Sequence, residues 1–271
     1  MNRFKNWRRT VALGLISTFI AAGASLFFMP STAANAGPEQ LDTAMLVDAQ
    51  SKYGWTPDDA KLRVNTTFTI EAWVKPDAGN STMPWNIGGK ESSYLLAIYN
   101  GYYSYAIMQG GTWHAWISTN VKYIPGQWQH VVFTRSGSAI RLYLNGGYAG
   151  SPSTTEAFTT ADAGTNFSVG SRIDVPAEWF HGQIDEYRLW STVRTDAQIL
   201  ADMNNRPTSA ELSGADLRAY YDFNSNTQNT FYNQATGSNA ASNLRVIGAP
   251  SLLDVKTVYT VGANTVVTFP R

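Results

Sequence analysis

Two carboxylates stand side by side in "FHGQIDEYRLW", Phe180 to Trp190: Asp185 and Glu186. Neighbouring acids can cleave a glycosidic bond, hold a hard cation, or bond within the fold. Retaining cleavage needs two carboxyl groups about 5 Å apart on one bond. The segment alternates like a β-strand, and adjacent strand residues point to opposite faces, so this pair cannot act together locally. If the Tyr187/Leu189 side faces inward, Asp185 is a buried carboxylate, which is costly unless it is paired, hydrogen-bonded or metal-bound. Ile184 and Trp190 lie on the other face, so the pattern leaves the orientation open. Glu186 and Arg188 share a face and read as a solvated surface pair that contributes little.

Other chemistries have less support. The chain has no cysteine and three histidines, His114, His130 and His181, without the H-E-x-x-H spacing of a zinc site. No G-x-S-x-G elbow occurs, although a Ser-His-Asp set assembled from distant residues stays open. "GGK", Gly88 to Lys90, lacks the flanking residues of a phosphate-binding loop and reads as a turn.

Aromatic residues remain, and their flat faces suit the apolar faces of sugars as well as a core. Trp73, Trp128 and Trp190 lie in regular strand patterns and read as structural. Trp85, Trp113, Trp116 and Trp179 fall in less regular segments and are ligand candidates. In "YLLAIYNGYYSYAIMQGGTWHAWIST", Tyr102, Tyr103 and Tyr105 precede "TWHAWIS" across a turn at Asn100-Gly101. Strand alternation sends Trp113 and Ala115 one way, and His114 and Trp116 the other. One side is then core and the other an aromatic ridge of the kind that marks binding surfaces. The competing reading is an ordinary strand pair with tyrosine hydroxyls bonded at the rim.

The elements that position these residues follow from the chain's pattern. Arg3, Lys5, Arg8 and Arg9 precede an apolar run from Val11 to Met29, then Pro30 and Ala34-Asn35-Ala36. This reads as a signal peptide over residues 1–36, cleaved before Gly37, rather than as an anchor. Arg8-Arg9 permits twin-arginine export, but the residues after the pair match it poorly. The expected product is secreted or at the cell surface, with no membrane span after signal removal. It keeps 235 of the 271 residues, enough for one domain, with 16 basic against 20 acidic side chains and no basic footprint for nucleic acid. An exported chain without cysteine must rely on its core for stability, and that composition leans towards a bacterial source.

In "FTIEAWVKP", Phe68, Ile70, Ala72 and Val74 alternate with Thr69, Glu71, Trp73 and Lys75, predicting a half-buried strand. "WQHVVFTRSGSAIRLYLNGG" holds two strands around Ser136-Gly137-Ser138 and ends at the turn dipeptide Asn145-Gly146. "FSVGSR" and "GQIDEYRLW" add two more, so the fold class is an all-β antiparallel sandwich with one short helix after the last core strand. Thr195 and Gln198 form the capping-box pattern of that helix, and Ile199, Leu200 and Met203 its apolar stripe, ending near Asn204. Residues 248–271 read as a closing strand or a linker to a further module.

"FTIEAWVKP", "GQWQHVVFTRSGSAIRLYLNGG", "FSVGSR" and "FHGQIDEYRLWSTVRTDAQI", in this order, resemble the laminin-G-like jelly roll of the concanavalin A-like lectin/glucanase superfamily. The likeness spans about residues 46–204 within a domain of 37–247. The family's glucanases carry acids at alternating positions of one strand face, as in Glu-x-Asp-x-x-Glu, which this sequence lacks. Glu71 and Glu178 stand apart as acids beside tryptophans. The resemblance implies a structural Ca2+ with Asp185 as ligand and backbone carbonyls near Asp48 as partners. Hydrogen bonds to Asp185 from neighbouring amides or a basic side chain are the alternative. The implied function is a non-enzymatic recognition module for glycan, with a protein-interaction or adhesion domain of a larger surface protein, and a glycoside hydrolase, as the other readings.

Overall fold

The computed structural model describes residues 43–64, 66–109, 112–151, 164–175, 177–224, 226–227 and 229–248, with three further short strands near the C-terminus. Residues 1–36, which the sequence leads one to expect as a signal peptide, lie outside the described residues. Strands β1 (Thr43–Val47), β2 (Tyr53–Thr56), β3 (Thr67–Pro76), β4 (Trp85–Lys90), β5 (Tyr94–Tyr99) and β6 (Tyr102–Gln109) come first. They are followed by β7 (Thr112–Lys122), β8 (Gln129–Ser136), β9 (Ala139–Leu144), β10 (Gly147–Gly150), β11 (Phe167–Val169) and β12 (Gly182–Trp190). Helices α1 (Asp196–Asn204) and α2 (Ser209–Ser213) precede β13 (Leu217–Tyr221), β14 (Asn226–Thr227), β15 (Thr230–Phe231), β16 (Leu244–Ile247) and β17 (Leu252–Asp254).

The strands form two antiparallel sheets, the all-β sandwich that the alternation predicts. The first runs β10-β9-β8-β3-β12-β1-β17, with β13 also on β12; the second runs β14-β15-β16-β2-β11-β4-β5-β6-β7. Near the C-terminus, β17 adds to the edge of the first sheet beside β1, and Tyr259–Val261 pairs with Thr265–Val267 as a separate hairpin. "GGK" is not a turn: Gly88 and Gly89 lie inside β4, where a register slip accommodates them. A β-carbon on Gly88 would stand 2.7 Å from the Tyr187 ring, so the core takes no side chain there.

One apolar cluster fills the space between the sheets. Phe68, Ile70, Ala72 and Val74 of β3 enter it with Leu96, Ile98, Tyr103 and Tyr105 from the second sheet. The opposite face of β3 is buried as well, including Glu71 and Trp73. The strand is therefore not half-exposed as its alternation suggests, because α1 lies over that side and packs Ile199 against Val132 and Tyr143. The Thr195 hydroxyl accepts from the Gln198 amide at 3.3 Å, and the Gln198 side chain accepts from the Thr195 amide at 2.9 Å, which closes the capping box. Ile199 and Met203 are buried one turn apart, whereas Leu200 is 51% exposed, so the stripe is narrower than expected. A second capping box, Thr208 with Glu211, starts α2, a helix the sequence reading did not anticipate.

A β-bulge settles the orientation of β12. Asp185 faces Trp73 in the ladder, but the next pair is Arg188 with Glu71, and Glu186 between them has φ +51°. The extra residue flips the alternation. Ile184, Tyr187 and Leu189 all reach the core. Asp185 therefore does not share the face of Tyr187 and Leu189; it is buried on the outer side of the first sheet, in the row of Trp73.

Glu186 and Arg188 are not a surface pair either. Arg188 is 1% exposed, and it donates to Glu186 at 2.7 Å and to the carbonyls of Asp202 at 2.9 Å and Asn205 at 3.0 Å. Glu186 also accepts from the Tyr220 hydroxyl at 2.8 Å and from Arg206 at 3.1 Å. Glu71 accepts from the Trp190 indole at 2.6 Å and lies 3.3 Å from the His130 imidazole. Burial raises the Glu71 carboxyl, but His130, Arg188 and Trp190 together hold it below its ordinary value. Arg194 forks onto Asp202 with two bonds of 2.7 Å and reaches Glu211 at 2.7 Å, tying both helices to one guanidinium. Burial, and then the charge of Glu71, raise Asp202 to about 6 against the pull of its arginines.

Gly88→Ala should lower the urea midpoint, by about 1–3 kcal/mol of stability, with the slope unchanged. Asp202 gives a pH signature. Its folded pKa exceeds the unfolded carboxylate value, so its contribution to stability is fully present below about pH 4 and is lost as pH rises through about 6. In Asp202→Asn, denaturation curves between pH 4 and 7 should lose that component of the decline.

Candidate functional site

The acids that open the chemical question are occupied by the fold. Asp185 accepts from the Glu186 amide at 2.7 Å, and Asp48 forms an ion pair with Lys52 at 2.7 Å. Along the β1–β12 ladder, Met45 faces Ile184 and Val47 faces Gly182. Asp185 and Asp48 thus lie beyond opposite ends of that pairing, four positions or roughly 13 Å apart along the strand direction. Among the described residues no three His, Asp or Glu side chains gather at metal-binding distance. The Asp185 and Asp48 side chains are therefore not brought together on one ion. Glu71 and Glu178 belong to different sheets' surroundings: Glu71 lies under α1, and Glu178 accepts from Arg172 at 3.0 Å.

The aromatic candidates divide into two groups. Trp85, Tyr103 and Tyr105 are corrections: they are buried in the cluster between the sheets and form no surface ridge. The reason is the period of two in β6, which sends Tyr103 and Tyr105 inward and Tyr102, Ser104, Ala106 and Met108 outward. Trp179 is half-buried and stacks on His181 at 3.7 Å, which stacks on Trp85 at 4.5 Å. Burial pushes the His181 imidazole down, with Asp77 opposing. His114 is half-buried opposite Ile107. Trp73, Trp128 and Trp190 are buried, as structural residues should be.

Tyr102, Trp113 and Trp116 are spread along the outer face of the second sheet, where Tyr99 contacts Trp116. Simple alternation separates Trp113 from Trp116, but the β6–β7 register slips between Tyr105 and Ile107, and Trp116 has φ +41°. This conformation is rare for a bulky residue. It puts both indoles on one side: Trp113 beside Met108 in the ladder, and Trp116 with its ring 6.4 Å from that of Tyr99. Tyr99 is on β5, so the contact crosses β6, whose outward residues there, Ser104 and Ala106, are small and buried. Ala97 of β5 and Ser118 of β7 flank Ser104 in the same row. The result is a strip of half-buried rings over a floor of alanine and serine. At one end Lys122 is exposed, with its ammonium 5.7 Å from the Tyr102 ring.

At the other end stands Arg172, which the sequence reading missed. The segment from Gly170 to Phe180 folds back on itself through Arg172 N–H to Glu178 O at 2.9 Å, Phe180 N–H to Gly170 O at 2.8 Å, and a bridge between Ser171 and Trp179. Arg172 donates to Glu91 at 2.9 Å and to Glu178 at 3.0 Å, and its guanidinium carbon is 5.2 Å from the Trp113 ring centroid. The Ile173 amide adds a bond to Glu91 at 3.2 Å. Burial raises Glu91, Arg172 pulls it down and Asp174 raises it again, leaving it above the usual carboxylate value.

Two curated proteins match the chain. The "Sushi, von Willebrand factor type A, EGF and pentraxin domain-containing protein 1" of Rattus norvegicus is 27% identical over 196 residues, covering 63% of this chain and 5% of that protein. Pappalysin-1 of Mus musculus is 30% identical over 101 residues, covering 33% of this chain and 6% of that protein. The chain thus spans a small part of the length of both. Among solved structures, a Bacteroides ovatus protein named for an inferred carbohydrate-binding role superposes with a TM-score of 0.61 at 19% identity, covering 81% of this chain and 62% of that one. That likeness is one of fold. The laminin-G-like family model matches residues 48–200, more than half of the sequence, and the chain belongs to that family of the concanavalin A-like lectin/glucanases superfamily.

Proposed function

We propose that this is a non-enzymatic recognition module of an exported protein, and that it binds glycan along the strip of Trp113, Trp116, Tyr99 and Tyr102. The observation that carries the reading is Trp116, a bulky residue kept at positive φ with its ring across a floor of small side chains. Backbone strain of this kind persists where the surroundings hold it, and it concentrates at functional sites. Ring faces held beside small side chains suit the apolar faces of pyranose or furanose rings, with Ser118 and the exposed Lys122 on the same strand for their hydroxyl groups. A name that refers to carbohydrate binding in a protein of the same fold adds weight. So does the occurrence of related segments inside much longer proteins, since a module needs no chemistry of its own.

A non-catalytic role agrees with the state of the acids. Glu71, Glu186 and Glu178 each bond a basic side chain, and no two of the acids weighed for hydrolysis converge on an open cleft. Export rests on the charged, then apolar, then Ala-x-Ala order of residues 1–36. Among the described residues no helix is long and apolar enough to cross a membrane.

Binding should be measured by affinity electrophoresis of residues 37–271 in gels containing a panel of plant and microbial polysaccharides. At least one should retard the protein, and Trp116→Ala should weaken that interaction about tenfold or more, as expected for a central aromatic anchor, with an unchanged far-UV spectrum. Retention of full affinity in Trp116→Ala would move the ligand off this face. For export, N-terminal sequencing of protein recovered from the medium or envelope should begin at Gly37; a chain that starts at Met1 there would argue for an anchor.

A further inference from the structure

Arg172 is fastened more firmly than packing alone requires. Two of its five N–H groups bond Glu91 and Glu178, while its flat face lies over Trp113. The second terminal nitrogen, Nη2, has no acceptor among the described residues, and 15% of the side chain remains open to solvent. The guanidinium therefore presents donors beside Trp113 in a fixed orientation. Its charge is already matched: Glu91 is fully buried, Glu178 nearly so, and Asp174 is exposed at the tip of the same hairpin. One cation faces two bonded carboxylates and a third nearby, so the corner is net negative.

We infer that Arg172 determines specificity at the Trp113 end of the strip, donating to hydroxyl or ring oxygens of uncharged sugars and turning away uronates and sulfated sugars. The inference rests on the glycan reading above and names the class of glycan. A neutral acceptor gains a hydrogen bond from Nη2 and brings no charge that must be stripped of water. A carboxylate or sulfate brought to the same place loses its hydration, meets like charge, and finds a guanidinium already shared between two carboxylates. Lys122 does not alter this. It pairs with Tyr102, whereas Trp113 pairs with Met108, six positions or about 20 Å further along β6. That separation is beyond the screening length of about 8 Å at physiological salt.

The test uses residues 37–271 in affinity gels with matched polymers: dextran and dextran sulfate, hydroxyethyl cellulose and carboxymethyl cellulose, and methyl-esterified and de-esterified homogalacturonan. The expected result is retardation by the neutral member of at least one pair and binding of its charged counterpart weaker by about tenfold. Glu178→Gln, which removes one negative charge and keeps an acceptor for Arg172, should narrow that gap. Arg172→Lys, which keeps the charge but not the fork, should weaken neutral binding severalfold while the far-UV spectrum stays unchanged. Charged members bound as tightly as neutral ones, or a ratio unmoved by Glu178→Gln, would overturn the inference and leave the glycan reading standing. If no polymer of any pair or of the wider panel is retarded, the glycan reading falls and this inference with it.

Discussion

The guanidinium of Arg188 is the charge on which the layer over the first sheet depends. It is fully enclosed, stands between Glu71 and Glu186, and lies over the Tyr220 ring at 5.2 Å. Without it two buried carboxylates would lose their nearest cation, and breaking such a pair costs far more than never having built it. Its other bonds are to carbonyls at the end of α1, from Asp202 and Asn205. Helix ends leave such carbonyls without intrahelical donors, and α1 has no basic residue in its own last turn. A strand residue supplies the cation that favours a helix C-terminus. The arrangement binds helix to sheet by charge as well as by the contact of Ile199 with Val132 and Tyr143.

The two outer faces of the sandwich thus have opposite characters. Over the first sheet, arginines and acids pair with one another beside α1 and α2, and Glu71, Glu186 and Arg188 at their centre are buried. Over β5, β6 and β7 of the second sheet, aromatic rings are half-buried above small residues. The fold itself, shared across a wide superfamily, assigns neither face a task. It is the distribution of rings, small residues and charges that singles out the second.

Much of the fold was legible in the sequence, and the site was legible in part. β3 shows its core residues at every second position, and Thr195 with Gln198 marks the start of α1, because local geometry alone sets both patterns. Alternation failed at Glu186 and at Trp116, where a single extra residue reverses the faces of everything that follows. No residue type announces such a bulge: glycine or asparagine would have hinted at positive φ, whereas glutamate and tryptophan do not. Hence Asp185 was grouped with the wrong neighbours, and the two indoles of β7 were assigned to opposite sides. Tyr99 and Arg172 were missed for another reason. Their roles come from contacts across three strands and from a folded-back hairpin, neither of which leaves a periodic trace. The Thr208–Glu211 box that starts α2 was readable, but its five residues carry no apolar stripe.

The bulged backbone of β7 also bears on how the molecule behaves in a crowd of its own kind. β7 is the last strand of the second sheet, and besides Trp116 it holds Asn120 at φ +61°. A regular outermost strand offers an unbroken row of amides and carbonyls on which another chain can polymerise. Here the row is broken twice within eleven residues. The distortion that brings a tryptophan into the strip therefore also makes this margin a poor template for aggregation.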